Sequence, residues 1–228
     1  MNIAIILSGG TGTRFGGTVP KQYIEVEGKP VLAYTLEAME HSPQIDGIVV
    51  VCAPMWEDTV LSIAKKYRIQ KFLTTAPAGE NRQRSCFAGL LAVEARGGCQ
   101  NVVIHDAVRP LVNDGVIARG LEKLGEYDAA LSVVTCKDTT YISTDGQTVT
   151  ALIDRSTLFA GQTPEYFRFD KYLAAMRTST DDEIDRATGS AVIAFRYGLT
   201  VALAEGDEHN FKLTTAADMT RFRMELQK

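Results

Sequence analysis

The sequence predicts an α/β protein built on a mostly parallel, doubly wound sheet flanked by helices, and three observations predict it. Ile3–Leu7, Gly47–Cys52 and Asn101–His105 are uninterrupted apolar runs, the pattern of strands buried on both faces. These runs alternate with stretches of helical periodicity, which implies crossover helices between parallel neighbours. Glycines and charged side chains cluster directly after the runs, where an open parallel sheet gathers its ligands.

The elements follow in order. Ile3–Leu7 is the first strand, and Pro30–His41 places Val31, Leu32, Thr35, Leu36 and Met39 near helical spacing before Ser42-Pro43 ends the pattern. Gly47–Cys52 is the second strand, Met55–Tyr67 a helix with a lysine pair in its last turn, and Lys71–Thr75 a short strand. Ala78–Arg96 opens as a turn and becomes a helix that carries Cys86, Leu90, Leu91 and Val93 inward. Asn101–His105 and Ala129–Thr135 are further strands. Tyr141–Ile153 reads as two short strands around Thr144-Asp145-Gly146, a hairpin signal. Phe169–Met176 and Asp182–Tyr197 are expected as helices, Thr200–Ala204 as a strand and Thr215–Gln227 as the closing helix. The hairpin, bearing Tyr141, Ile142, Val149, Leu152 and Ile153, reads either as an arm that pairs with a second copy of the chain or as a segment covered internally.

The 228 residues suit a single domain, 1–228, with the arm at about 138–160. A hydrophobic share of 45% and a charged share of 23% are ordinary for a globular protein, and a net charge of −4 argues against nucleic acid as the main partner. Cys52, Cys86, Cys99 and Cys136 never form Cys-x-x-Cys, which argues against a zinc site and for buried reduced thiols. With no signal peptide and no long apolar span, no membrane role is expected and the location is expected to be cytoplasmic.

The chemistry is concentrated first in MNIAIILSGGTGTRFGGTVPKQ. Ser8, Gly9, Gly10, Thr11, Gly12 and Thr13 offer backbone N–H groups to an anion, and Arg14 and Lys21 supply counter-charge. No lysine follows a glycine as a Walker loop requires, and Gly10, Gly12 and Gly16 are spaced one residue too wide for a dinucleotide fingerprint. NAD-dependent redox chemistry is thereby disfavoured. Further candidates follow later strands: Gly79, Glu80, Arg82 and Ser85, then Asp106 and Arg109, then Arg155, Gln162-Thr163-Pro164 and Asn210-Phe211-Lys212. Two cations beside one glycine loop point to bound polyphosphate, and Asp106 beyond a buried strand is placed either to hold magnesium against phosphates or to cap a turn. His105 lacks an accompanying nucleophile motif and is expected to orient its neighbours. Trp56 is expected to pack, and His41 and His209 to cap or meet solvent.

The ordered segments GGTGTRFGGTVPKQ, AGENRQRS, HDAVRP, GQTPEYF and EGDEHNFKLTT resemble the signature of the cytidylyltransferases that activate sugar-alcohol phosphates. That family includes the 2-C-methyl-D-erythritol 4-phosphate and D-ribitol 5-phosphate cytidylyltransferases, and the resemblance spans nearly the whole chain. It implies a nucleotidyltransferase fold of the GT-A, Rossmann-like kind, a homodimer joined through the arm, magnesium, and transfer of CMP from CTP to a polyol phosphate. By resemblance, Ser8 to Thr13 wrap the triphosphate, and Arg14 and Lys21 neutralise the reacting phosphate. Gly79, Glu80 and Ser85 hold the cytosine, and Asp106 lies near metal, ribose and acceptor. Arg109, Arg155, Thr163 and Lys212 match positions that bind the acceptor phosphate or the α-phosphate, Arg155 from the neighbouring subunit.

Departures from that pattern concern the acceptor. Thr188-Gly189 stands where Thr-Asp is usual, and Asp138-Thr139-Thr140-Tyr141 lacks the lysine of the methylerythritol branch. Pro54-Met55-Trp56, Lys65-Lys66-Tyr67 and Gly161 look more like the ribitol branch, toward which the reading leans. Methylerythritol phosphate is the alternative acceptor, and a nucleotide-binding regulator without catalysis is the reading from another class.

Overall fold

The computed structural model describes residues 1–10 and 19–227. The chain runs β1 (Asn2–Ser8), β2 (Glu25–Val26), β3 (Lys29–Pro30), α1 (Val31–His41), β4 (Gly47–Cys52), α2 (Glu57–Lys66), β5 (Phe72–Pro77), α3 (Arg82–Glu94) and β6 (Asn101–Asp106). It continues through α4 (Asp114–Lys123), β7 (Ala129–Thr135), β8 (Tyr141–Ile142), β9 (Ala151–Leu152), β10 (Phe159–Arg168), α5 (Phe169–Thr178), α6 (Asp181–Arg186), α7 (Ser190–Arg196), β11 (Val201–Glu205) and α8 (Ala216–Leu226).

Seven strands form one sheet in the order β11-β7-β10-β6-β1-β4-β5. β1 pairs in parallel with β4 and β6, β4 with β5, and β7 with β11, whereas β10 runs antiparallel to both β6 and β7. From β1 the chain moves outward to β4 and β5, then returns to place β6 on the other side of β1. That reversal makes a switch point between β1 and β6, where the crossovers leave a crevice at the strand ends.

Successive strand residues feed opposite layers, as the two-residue period requires. Ala4, Ile6, Ile48, Val50 and Val103 pack with Leu36 and Met39 of α1, Val60 and Ile63 of α2 and Val116 of α4. Ile3, Ile5, Val49, Val51, Val102 and Ile104 pack with Cys86, Leu90 and Val93 of α3, Tyr172 and Met176 of α5 and Ile193 of α7. A smaller cluster of Val26, Val31, Leu213, Met219 and Phe222 clamps α8 onto the start of α1. Side chains fix several helix starts: Asn81 accepts from Arg84 N at 2.9 Å, Asn113 from Val116 N at 3.0 Å, and Thr180–Glu183 and Thr215–Asp218 form capping boxes.

Four expectations change. Asp182–Tyr197 is two helices, α6 and α7, separated by Ala187–Gly189, because the start of α7 is pinned where Ser190 is buried against Glu165. Leu91 does not point inward; it is 39% exposed on α3, while Cys86, Leu90 and Val93 are buried. Of the cysteines, Cys52 and Cys86 are buried and Cys99 and Cys136 only partly so, all four without disulfides. The strands expected within Tyr141–Ile153 shorten to β8 and β9, paired antiparallel as Tyr141↔Leu152 and Ile142↔Ala151, with Asp145 collecting N–H groups of Gln147 and Thr148 in the turn. Residues 137–152 are exposed throughout. No helix is long and apolar enough to cross a membrane among the described residues.

Gly120 shows how tightly α4 meets the sheet. A Cβ there would lie 2.0 Å from Cε2 and 2.1 Å from Cζ of Tyr166, whose ring is buried and whose hydroxyl donates to Val116 O at 2.8 Å. Gly120→Ala is therefore expected to cost about 1–3 kcal/mol of stability by overpacking. Calorimetry should read this as a Tm lower by about 2–4 °C per kcal/mol, and an unchanged Tm would contradict the contact.

Candidate active site

A cavity of about 390 Å³ opens at the switch point, walled by the loops that follow β1, β5 and β6. The first loop brings Gly9, Gly10, Lys21 and Gln22, the second Gly79, Glu80, Asn81 and Arg82 with Ser85, and the third Asp106 and Val108; Lys212 closes the rim. The volume falls in the usual range for small-molecule sites, about 300–1,000 Å³.

The first wall is held by buried polar contacts. Gln22 Nε2 donates to Ser8 O at 2.7 Å and to Gly10 O at 2.8 Å, so one amide fixes the carbonyls on both sides of Gly9. Ser8 Oγ donates to the Tyr23 hydroxyl at 3.2 Å, and the Tyr23 ring stacks on Trp56 with centroids 4.4 Å apart, so the tryptophan packs as expected. Burial pushes the Tyr23 hydroxyl up to about 12, which keeps it neutral. The buried Lys21 ammonium donates to Leu213 O at 3.0 Å, tying this wall to the chain's last segment.

Close approach explains two glycines. A Cβ on Gly9 would meet Ala78 Cβ at 2.5 Å, and one on Gly79 would meet Arg84 Cβ at 2.4 Å. Bare backbone at Gly9 thus lets the first loop touch the second, and at Gly79 lets the second loop fold against the first turn of α3. Ser85 Oγ accepts from Gly79 N at 3.1 Å and donates to Asn81 O at 2.9 Å, shaping the second loop from inside α3.

Asp106 is the charged centre. Its carboxylate lies 2.7 Å from Lys212 Nζ, 3.6 Å from Arg82 Nε and 4.0 Å from Arg109 Nε. Burial alone would push the acid up, but the Lys212 ammonium and the Arg82 guanidinium overcome it and hold the carboxyl at about 2. Behind it, Thr163 Oγ1 accepts from Asp106 N at 3.1 Å. That leaves the Thr163 proton to donate to His105 Nδ1 at 3.1 Å, and His105 Nε2–H to donate to Arg109 O at 3.0 Å. Burial pushes the His105 imidazole down to about 4, so the ring is neutral at neutral pH and orients its neighbours, in line with the sequence reading.

The structure brings Gly9, Gly10, Lys21, Gly79, Glu80, Ser85, Asp106 and Lys212 to one cavity, with Ser8 buried beneath the first loop. Thr11, Gly12, Thr13 and Arg14 lie outside the described residues. Arg109 and Thr163 back the Asp106 wall without lining it: Arg109 Nη1 donates to Asn210 O at 2.6 Å. Arg155 and Thr188 are not brought to the cavity. Arg155 sits in an exposed turn at the end of the β8–β9 segment and donates to Lys137 O at 2.7 Å, and Thr188 is exposed between α6 and α7. Gln22 and Glu165 were missed as site residues. Gln22 could have been found from its place beside Lys21 after a strand-and-glycine turn. Glu165, deep in β10, leaves no local signal.

Comparison with known proteins agrees with this geometry. The model of the family IspD, 2-C-methyl-D-erythritol 4-phosphate cytidylyltransferase, matches residues 2–228. A ribitol-5-phosphate cytidylyltransferase of Vibrio parahaemolyticus is 36% identical over 225 residues, covering 98% of this chain and 94% of the relative. A 2-C-methyl-D-erythritol 4-phosphate cytidylyltransferase of Geobacter metallireducens is 37% identical over 221 residues, covering 95% and 93%. Among solved structures, the 4-diphosphocytidyl-2C-methyl-D-erythritol synthase of Anaerococcus prevotii superposes with a TM-score of 0.85 at 26% identity, covering 100% of this chain and 96% of that one. With a family match over nearly its full length and relatives above 30% identity named for two different acceptors, the chain belongs to the IspD family of cytidylyltransferases.

Proposed function

We propose that the protein transfers CMP from CTP to a polyol phosphate, D-ribitol 5-phosphate first, and releases pyrophosphate. The observation that carries this reading is the pairing, across one cavity, of a glycine-backed loop and Lys21 with an ionised Asp106 held by Lys212. An acceptor phosphate oxygen attacks the α-phosphorus in line; the new P–O bond forms as the bond to the β-phosphate bridging oxygen breaks, and pyrophosphate leaves with that electron pair. Catalysis is then positioning and charge neutralisation. A phosphate monoester is largely deprotonated at neutral pH, so no general base is needed.

In this reading Ser8–Thr13 wrap the triphosphate, Arg14, Lys21 and Lys212 neutralise charge at the reacting phosphorus, and Gly79, Glu80 and Ser85 meet the cytosine and neighbouring atoms. Arg109 and Thr163 set the acceptor wall. The donor set fits magnesium: the ion is commonly held through one or two carboxylates plus substrate phosphates, and Asp106 offers one ionised carboxylate on the cavity wall. When bound, magnesium would neutralise phosphate charge and polarise the phosphoryl group. The exposed β8–β9 segment, with Tyr141 57%, Val149 58% and Leu152 79% exposed, supports a homodimer in which this arm meets a second copy and Arg155 serves that copy's site. The same reading puts the protein in the cytoplasm.

The lean to ribitol phosphate rests on Asp138-Thr139-Thr140-Tyr141 and Pro54-Met55-Trp56, and on ribitol-named relatives such as the Vibrio protein. The methylerythritol reading is supported by the family model and the Geobacter relative. Measuring CDP-alditol formation with each acceptor, CTP and magnesium separates them: at least tenfold higher kcat/KM for ribitol 5-phosphate is expected, and the reverse preference assigns the alternative. CTP binding without pyrophosphate release for any acceptor would instead support the non-catalytic regulator.

A further inference from the structure

Glu165 is a buried acid on the antiparallel strand β10, outside the cavity lining, with only 8% of its surface exposed. Its Oε2 accepts from Arg82 Nη2 at 2.7 Å and from Ser190 Oγ at 2.8 Å, and Ser190 Oγ in turn accepts from Arg82 Nη1 at 2.8 Å. The three side chains close a ring on the outer edge of one guanidinium. The inner edge, Nε, faces Asp106 Oδ1 at 3.6 Å, beyond hydrogen-bond length.

We propose that Glu165 is a positioning residue that holds the Arg82 guanidinium back from Asp106. A guanidinium is a rigid planar fork, so fixing both terminal nitrogens on Glu165 and Ser190 fixes where Nε stands. In the cluster, Arg82, Arg109 and Lys212 carry three positive charges against the negative charges of Asp106 and Glu165. Without the Glu165 charge, Arg82 would be a buried cation lacking its main partner, and the nearest remaining carboxylate is Asp106. The guanidinium would then pair directly with Oδ1 of Asp106, a carboxylate that lines the cavity. Glu165 thereby keeps Asp106 open to whatever binds there, although it touches no substrate.

This inference rests on the cytidylyltransferase reading, and the test separates the two. Glu165→Gln keeps an acceptor oxygen for Arg82 while removing the charge. We expect kcat and kcat/KM to fall together by about tenfold or more, the scale on which supporting groups affect a site. In an Arg82→Gln background the same change should have no further effect, because the guanidinium it releases is gone. A crystal structure of E165Q should show Arg82 in hydrogen-bond contact with Asp106, at about 2.8–3.0 Å. E165Q with normal kinetics, E165Q with Arg82 unmoved, or an equal loss with and without Arg82 would each overturn the proposal. Wild-type protein silent toward CTP and both acceptors would overturn the functional reading alone, since the Arg82 position is read without turnover. Should E165Q prove insoluble, Ser190→Ala takes its place: a loss of about threefold in kcat that vanishes beside Arg82→Gln is expected, and an additive loss overturns the idea.

Discussion

Lys21→Ala is expected to lower kcat by about 10²–10³-fold, the cost of removing one preorganised group that meets developing charge, or about 3–4 kcal/mol. The ammonium is buried on the cavity wall, and its position is set from two directions: the short 3-10 turn Lys21–Tyr23 places the backbone, and Leu213 O receives one of its protons. An ammonium beside the bare backbone of Gly9 and Gly10 puts positive charge where an anion can approach the main chain. Steady-state pyrophosphate release is the measurement, with thermal unfolding alongside it because the Leu213 contact is lost too. Near-normal turnover in a folded K21A protein would end the assignment of Lys21 to the reacting phosphate.

Asp106→Asn should separate binding from chemistry. The carboxylate lies among Lys212, Arg82 and Arg109, the same cations that an incoming phosphate would seek. Removing its charge relieves that competition, so CTP affinity measured by calorimetry without magnesium should stay the same or rise. Turnover with magnesium should fall by about 10²-fold, since the metal loses the Asp106 carboxylate in the proposed site. Weaker metal-free CTP binding in D106N would show that Asp106 holds the nucleotide directly and does not compete with it.

The parts of the molecule that could be read in the sequence are those whose cause is local. β1, β4 and β6 are buried on both faces, so their apolar runs are continuous, and the ligand loops follow them directly. β10 was missed because Gly161 and Pro164 interrupt it, and only its second half is buried. α4 was missed for a similar reason: Gly115 and Gly120 lower its helical signal, yet Gly120 is there to admit the ring of Tyr166. The split between α6 and α7 and the role of Glu165 are set by partners far along the chain, such as Arg82, 83 positions away from Glu165. No window of sequence contains both members of that pair. Thr163 and Arg109, named from the sequence as site residues, stand behind the wall, a placement only the hydrogen bonds make visible.

The tie from Lys21 to Leu213 spans 192 positions, and Arg109 reaches Asn210 across 101. Contacts of such long range form late, because the loops they close carry an entropic cost that only a nearly complete fold repays. During synthesis Lys21 is made early, yet its bond to Leu213 can form only when the segment before α8 arrives. A chain cut before Leu213 is therefore expected to fold its central strands without this anchor for the Lys21 ammonium on the cavity wall.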